Sequence, residues 1–99
     1  MTVPVIVFAS FKPRVGSAQA FLKTMAPMIE ATRLEPGNDI YDLYEDADGG
    51  FHLFERYADE NALKAHRDSD HYRAYRATAL DLLEGGVGVK VLTGRDVVA

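Results

Sequence analysis

The sequence predicts an α+β fold whose segments follow one another in the order β-α-β-β-α-β. Two long segments repeat apolar residues at helical spacing, four short ones are rich in β-branched and aromatic residues, and clusters of Gly, Pro, Asn or Asp separate them. Because crossover connections are right-handed, this order yields a ferredoxin-like fold, a four-stranded antiparallel sheet with two helices on one face. A length of 99 residues is typical of one domain, so residues 1–99 are expected to form a single one.

The first half of the chain is predicted to hold a strand and a helix. Val3 to Phe11 is rich in Val, Ile and Phe, and Lys12-Pro13 marks the end of this strand. Ser17 is the expected N-cap of a helix that continues to about Arg33, because apolar residues recur there every three or four positions. Pro27 removes one backbone hydrogen bond inside this helix and is expected to bend it.

The second half is predicted to hold a hairpin, a bent helix and a last strand. Their expected bounds are Ile40–Glu45 and Phe51–Tyr57 for the hairpin strands, Asp59–Glu84 for the helix and Val87–Thr93 for the final strand. Asp59 is a favourable N-cap for the helix, a kink is expected near Ser69, and Gly85-Gly86 ends it.

Apolar residues occupy both faces of the first strand. Val5 and Val7 lie on one face and Ile6 and Phe8 on the other, whereas a strand covered on one side only normally alternates apolar and polar residues. Two helices can cover one face of the sheet, and leaving several hundred Å² of apolar surface in water would cost on the order of 10 kcal/mol. The sequence therefore predicts a homodimer in which two copies pack sheet against sheet.

Composition excludes several classes of function. The formal net charge is −4, and the densest basic stretch, Lys64 to Arg76, is interrupted by Asp68 and Asp70, so nucleic acid is not an expected partner. The chain has no cysteine, which excludes disulfides, zinc–thiolate sites, iron–sulfur clusters and thiol catalysis.

No apolar run approaches the roughly 20 residues that cross a bilayer, and the N-terminus has no signal-peptide pattern, so no membrane partner and a cytoplasmic location are expected. No glycine-rich nucleotide motif indicates a flavin or a nicotinamide, and no cofactor is expected.

His66 is the strongest candidate for a catalytic residue. It follows Ala62 and Leu63 by three or four positions, so it is expected to face inward from the helix, where a neutral imidazole could take a proton from a phenol or a quinol. Alternatively, its ring binds a backbone carbonyl and fixes the kink. His71 either lines a cavity or lies at the surface, and His52 is expected to be exposed or at the dimer interface.

The sequence predicts no metal site. His66 and His71 are five positions apart, which is not the i, i+4 spacing of a helical zinc-binding pair.

Glu55 is the second catalytic candidate. It lies between Leu53 and Tyr57 on one strand face, which indicates a buried carboxylate with a raised pKa and a role in proton relay. Alternatively, Glu55 pairs with Arg33 or Arg56 and only stabilises the fold.

Other polar and aromatic residues are candidates either for contacts with a substrate or for ordinary structural roles. Arg33 and Glu35 are interpreted as an ion pair that locks a turn. Ser10 is a candidate donor to a substrate oxygen, provided that its side of the first strand faces the helices. A set of aromatic residues could line a cavity for a planar ring or belong to an ordinary core: Tyr41, Tyr57, Tyr72, Tyr75, Phe8, Phe21 and Phe54.

Three segments of the chain resemble a known family. They are T-R-L-E-P-G at 32–37 with Y-D-L at 41–43, F-E-R-Y at 54–57, and A-L-K-A-H-R-D-S-D-H-Y at 62–72. They resemble the antibiotic biosynthesis monooxygenase family of the dimeric α+β barrel superfamily, in which a T-R-x-E-x-G turn ends the first helix and an H-x-x-S-x-H segment lies in the second. The resemblance implies a dimer whose two sheets form a barrel, with a small-molecule cavity between sheet and helices in each protomer.

The resemblance also narrows the expected activity. Haem-degrading members carry an Asn, a Trp and an iron-binding His at positions that fall near Ser10, His66 and Arg76, so haem degradation is not expected. Members that oxidise polyketides carry an Asn and a Trp at positions that match Leu53 and Tyr57, and this pair is also missing.

Quinol-oxidising members share the segment with His66, Ser69 and His71. The resemblance to them implies a cofactor-independent monooxygenase that oxidises a small aromatic quinol or phenol with dioxygen. Its expected site is His66 and Glu55, with substrate contacts from Phe8, Ser10, Tyr57, His71, Tyr72 and Tyr75. The alternative is a non-oxidative small-molecule binding protein, or an isomerase, on the same fold.

Overall fold

The computed structural model describes residues 3–98. Within them, four strands form one antiparallel sheet in the order β2-β3-β1-β4 and three α-helices pack on one of its faces. The elements are β1 (Val5–Phe11), α1 (Ala18–Arg33), β2 (Asn38–Glu45), β3 (Phe51–Tyr57), α2 (Glu60–Arg67), α3 (Asp70–Ala79), a short 3-10 helix (Leu80–Leu82) and β4 (Gly88–Leu92). The predicted α+β, ferredoxin-like arrangement is confirmed.

The largest difference from the predicted elements lies in the second helix. The expected kink near Ser69 is a complete break, and the segment forms two helices, α2 and α3. Asp59 caps α2 by accepting a hydrogen bond from the backbone N–H of Ala62 at 2.8 Å, and Ser69 caps α3 by accepting one from Tyr72 at 3.2 Å. Ser17 lies at the N-cap position of α1, but its side chain makes no capping hydrogen bond.

The hydrophobic core lies between the helices and one face of the sheet. The alternate residues of β1 that face the helices are buried and those between them are half-buried, which is the period of a strand covered on one side. This helix-facing set is Val5, Val7, Ala9 and Phe11. Opposite it, α1 contributes Phe21, Met25 and Met28, and α3 contributes Tyr75 and Ala79.

The turn between α1 and β2 packs closely against α2. A Cβ atom at Gly37 would overlap the Cβ of Ala62 in the first turn of α2, so this approach requires a glycine. The carbonyl of Gly37 also accepts a hydrogen bond from the backbone N–H of Ala58 at 2.9 Å. The turn therefore brings the residues that precede Gly37 next to the face of α2 that carries His66.

The outer face of the sheet, opposite the helices, is also apolar. Ile6, Phe8, Ile40 and Phe54 lie on it and are half-buried, and a cavity of about 890 Å³ separates this face from residues 93–98. Since the helices lie on the other side, this surface has no layer of helices over it. None of the helices described between residues 3 and 98 has both the length and the hydrophobicity that crossing a bilayer requires.

Candidate active site

A cavity of about 230 Å³ lies between the helix-facing side of the sheet and helices α2 and α3. Its wall is mainly apolar, with aliphatic side chains from β1 and β3 and the rings of Tyr41, Tyr72 and Tyr75. Two titratable side chains, Glu55 of β3 and His66 of α2, complete the interior. A small, largely apolar cavity with a few converging polar groups has the character of a small-molecule site.

His66 faces inward from α2 and is 1% exposed. Its Nδ1 lies 2.8 Å from Oε2 of Glu35. Because a carboxylate oxygen can only accept, Nδ1 is the protonated ring nitrogen, and Nε2 carries a free lone pair. That Nε2 atom is buried and has no hydrogen-bond partner among residues 3–98. An imidazole that is fixed at one nitrogen and unpaired at the other is arranged to accept a proton.

Burial also keeps this imidazole neutral. Removal from solvent lowers the pKa of His66 below its ordinary value of 6.5, although the hydrogen bond and the charge of Glu35 act in the opposite direction. The ring packs among three tyrosine rings, with centroid distances of 5.4 Å to Tyr41, 5.4 Å to Tyr57 and 5.0 Å to Tyr72. His66 is therefore an uncharged base in an aromatic environment.

Glu35 joins the two histidines of α2 and α3. The same oxygen, Oε2, accepts a hydrogen bond from His71 Nε2 at 2.5 Å. The expected ion pair between Arg33 and Glu35 is wrong, because Arg33 donates to the carbonyl of Tyr41 at 3.1 Å and lies 3.4 Å from a carboxylate oxygen of Asp42. Glu35 and His66 are 31 residues apart in the chain, so no local spacing could indicate their contact.

Ser69 builds the break that brings the two histidines together. Its Oγ donates to the backbone carbonyl of His66 at 2.6 Å and accepts from the backbone N–H of Tyr72 at 3.2 Å. The chain therefore turns directly after α2, and His71 reaches the carboxylate of Glu35 from a different direction than His66.

The cluster of Glu35, His66 and His71 has the composition of a metal-binding set. One ligand atom from each lies within 4.8 Å of the others. The i, i+4 spacing rule that the sequence analysis applied does not decide this case, because the two histidines lie on separate helices, α2 and α3. In this structure both histidines contact the same carboxylate oxygen of Glu35.

Glu55 lies on the helix-facing side of β3 and is 5% exposed. The hydroxyl of Tyr57 donates to its Oε1 at 2.7 Å. Burial raises the pKa of Glu55 from 4.5 to about 7, with the hydrogen bond from Tyr57 acting in the opposite direction. The alternative pairing with an arginine is not formed, because Arg56 lies 3.5 Å from Asp39 instead. Burial therefore brings Glu55 into the pH range in which a carboxyl group can bind and release a proton near neutrality.

Three buried tyrosines at the cavity or behind its wall are protonated phenols. Burial raises the pKa of Tyr41, Tyr57 and Tyr75 above the ordinary value of 10, so none of them is a base near neutral pH. Tyr57 supports Glu55 from behind the wall, whereas Tyr72 and Tyr75 line the cavity as expected for substrate contacts.

Two of the expected substrate contacts lie on the wrong face of the sheet. Phe8 and Ser10 belong to the outer face of β1, because the residues of that strand that meet the helices are the odd-numbered ones. Ser10 Oγ lies 3.0 Å from Nδ1 of His52, whose Nε2 lies 2.7 Å from Asp46, and Phe8 stacks on the ring of His52. Neither Phe8 nor Ser10 lines the cavity. Phe54, from the set of expected aromatic contacts, is on the outer face as well.

Sequence reasoning missed two arginines in the cavity wall. Arg67 follows His66 at the end of α2, and Arg76 lies one helical turn beyond Tyr72 on α3. The spacing of Tyr72 and Arg76 places both on one face of a helix, which is a signal that the sequence contains.

Comparison with known proteins identifies the same fold and family pattern. Residues 4–78 match the family model described as antibiotic biosynthesis monooxygenase. The chain is 48% identical over 97 residues to the Mycobacterium tuberculosis protein named "Putative monooxygenase Rv0793", which covers 97% of this chain and 96% of that protein. It is 28% identical over 87 residues to the Bacillus subtilis protein named "Putative monooxygenase YcnE". This match covers 86% of this chain and 92% of that protein.

A solved structure of the same Mycobacterium tuberculosis protein has the same fold. That of Rv0793 from Mycobacterium tuberculosis superposes with a TM-score of 0.93 at 45% identity and covers 97% of this chain and 99% of that one.

The raised pKa of Glu55 makes the free energy of unfolding depend on pH. A variant at this position can isolate that dependence. Because the pKa of Glu55 in the folded protein exceeds 4.5, its contribution to stability is fully present below about pH 4.5 and is lost as the pH rises through about 7. Glu55→Gln lacks this dependence, so its free energy of unfolding relative to the wild type should rise by up to roughly 3 kcal/mol between about pH 4 and pH 8. Urea denaturation at a series of pH values measures this difference, and His66 cancels because both proteins contain it.

The control is Glu30→Gln, which removes a carboxyl group at an exposed position of α1 and shows whether the difference is specific to Glu55. Glu55 would not be a buried, proton-binding carboxyl group if the unfolding free energies of Glu55→Gln and the wild type differed by the same amount at every pH in this range.

Proposed function

Because the chain belongs to the antibiotic biosynthesis monooxygenase family, we propose that it is a cofactor-independent monooxygenase that oxidises a small aromatic quinol or phenol with dioxygen. The observation that carries the proposal is the buried, unpartnered Nε2 of His66 beside an aromatic cavity. A hydroxyl group of a bound phenol would supply the hydrogen-bond donor that this nitrogen lacks. An unsatisfied buried acceptor is costly, so such an atom indicates a ligand or a chemical role.

The first step of the proposed reaction is removal of the phenolic proton by His66. Glu35 holds the ring and stabilises the imidazolium that forms, since its carboxylate is already bonded to Nδ1. The phenolate that remains is much more electron-rich than the phenol and can pass one electron to dioxygen. The resulting radical pair combines through a new carbon–oxygen bond to give a hydroperoxide on the ring.

The second step breaks the oxygen–oxygen bond of that hydroperoxide. The carbon that carries the hydroperoxide loses its hydrogen as a proton to a base, one oxygen atom stays on that carbon as a carbonyl and the other leaves as water, so a dihydroxybenzene and dioxygen give a hydroxyquinone and water. The leaving oxygen needs a proton, and Glu55 is suited to supply it because burial brings its pKa to about 7. His66 and Glu55 are thus proposed as the base and the acid of one cavity, with Tyr72 and Tyr75 as contacts of the substrate ring. His71 acts through its bond to Glu35.

An isomerase or a non-oxidative binding protein is the alternative, because the same acid and base could move a proton within a substrate. The two proposals differ in their need for oxygen. Turnover that is equal in air and under argon would favour the isomerase.

We also propose that the protein is a homodimer in which the outer faces of two sheets pack together. The support is the apolar outer face of the sheet, with Phe8 directly opposite Phe54 at its centre, and the exposed Leu92 of β4, which pairs with Ile6 on that face. Burying this surface against an identical copy removes the cost of leaving it in water. The two sheets would then form the barrel that the family resemblance implies.

Replacement of His66 should abolish most of the proposed activity. His66→Ala removes the base, and a loss of about 10²-fold or more in kcat is expected with the best of a panel of quinols. Glu35→Gln keeps an acceptor for Nδ1 but not the charge that stabilises the imidazolium, so an intermediate loss is expected. Oxygen consumption by protein treated with a chelator measures both.

The matched control is His52→Gln, because that histidine lies on the opposite face of the sheet. It should retain activity, provided that light scattering shows the same oligomeric state as the wild type. Activity of His66→Ala equal to that of the wild type would overturn the assignment of the base.

A charge on the outer face should disrupt the proposed dimer. Phe54→Asp places an uncompensated carboxylate in the centre of that face and is expected to convert a dimer at micromolar concentration into a folded monomer. Val15→Asp is the control, because Val15 is fully exposed in the loop after β1. Sedimentation measures the oligomeric state and circular dichroism the fold, and a monomeric wild-type protein at that concentration would contradict the proposal.

A further inference from the structure

We propose that the substrate of this cavity is a single aromatic ring that carries an acidic substituent, which Arg67 and Arg76 bind at the solvent side of the cavity. This inference rests on the proposed function, in that it takes the cavity as the substrate site, and it names the class of substrate. Both arginines belong to the cavity wall while their side chains remain exposed, so they mark the side from which a ligand enters.

Neither arginine forms an ion pair with any of residues 3–98. Acidic groups are plentiful in the chain, which has 15 acidic against 11 basic residues. Three other arginines lie beside an aspartate: Arg33 beside Asp42, Arg56 beside Asp39 and Arg73 beside Asp70. Arg14 and Arg95 likewise form no ion pair with residues 3–98, and of these four guanidinium groups the two that reach the cavity are those of Arg67 and Arg76.

Contacts within the wall place these charges close to the proposed base. The guanidinium carbon of Arg76 lies 5.9 Å from the centroid of the Tyr72 ring, a cation–π distance, and that ring in turn packs against His66 at 5.0 Å. Arg67 directly follows His66, and its positive charge acts on the pKa of both Glu55 and His66 in the downward direction. Both arginines therefore belong to the part of the cavity wall that also contains His66, the proposed site of proton removal.

The position of the arginines at helix ends does not account for this arrangement. Arg67 and Arg76 lie in the last turns of α2 and α3, where a positive charge is favoured by about 0.3–1 kcal/mol. That preference applies to any basic residue in a last turn, whereas these two both belong to the wall of one cavity. Two guanidinium groups at one cavity are well suited to bind the oxygen atoms of a carboxylate or a phosphate.

The volume of the cavity sets the size of the rest of the ligand. About 230 Å³ exceeds the roughly 150 Å³ of a cavity known to hold benzene, so one substituted ring fits. The structure thus favours a monocyclic phenol or quinol with a carboxylate or phosphate group over a polycyclic or a neutral substrate.

The test compares binding of acidic and neutral ligands of equal size. The probes are 2,5-dihydroxybenzoate, its neutral amide 2,5-dihydroxybenzamide and 4-hydroxyphenyl phosphate, with affinity measured by calorimetry under argon so that no turnover is needed. The full chain should bind at least one of the two acids about tenfold or more tightly than the amide, and the stronger of the two shows which acidic group is preferred. The preference should weaken at high salt, because the arginines are exposed.

Variants identify the groups responsible. Arg67→Gln and Arg76→Gln should each reduce the preference for the acid several-fold, and the double variant should abolish it while binding the amide as the wild type does. Arg73→Gln is the matched control: it lies on α3, is exposed and pairs with Asp70 outside the cavity, so the preference should persist.

The outcomes separate this proposal from the proposed function. Equal affinity for acid and amide, or a preference that survives in the double variant, overturns the acidic subsite even if both compounds are oxidised in air. A preference that depends on the two arginines, with no oxygen consumption, supports the subsite and contradicts the monooxygenase instead.

Discussion

The hydrogen bond between Glu35 and His66 is the interaction on which the rest of the site depends. It fixes the imidazole in one orientation and one protonation state, and it leaves the other nitrogen unpaired inside the protein. Two features of the fold make this bond possible. Gly37 lets the turn after α1 approach α2, and Ser69 ends the helical path so that His71 meets the same carboxylate.

Burial shifts the pKa values of the two titratable groups of the cavity in opposite directions. Loss of solvent disfavours the charged form of each, so it lowers the pKa of the histidine and raises that of the glutamate. A neutral base and a partly protonated acid can then coexist near pH 7 in the same small volume. This is the physical basis on which acid and base chemistry can proceed with side chains alone.

Much of the fold was predictable because local patterns determine it. The order of elements, the N-cap at Asp59 and the bounds of β3 follow from spacing, capping and turn residues, and the inward direction of His66 and Glu55 follows from helical and strand periods. The orientation of β1 was not predictable, because both of its faces are apolar and alternation cannot then show which one meets the helices. Ser10 was misplaced for that reason.

The partner of His66 was hidden for a different reason. Its contact with Glu35 joins residues that are 31 positions apart in the chain. The contact depends on the close approach at Gly37 and on the helix break, and the spacing of apolar residues in the sequence indicates neither of them. The most direct test of this arrangement is nitrogen-15 NMR of the imidazole of His66 near pH 7. We expect a neutral ring with its proton on Nδ1 and none on Nε2. A ring protonated on Nε2, or on both nitrogens, would contradict it.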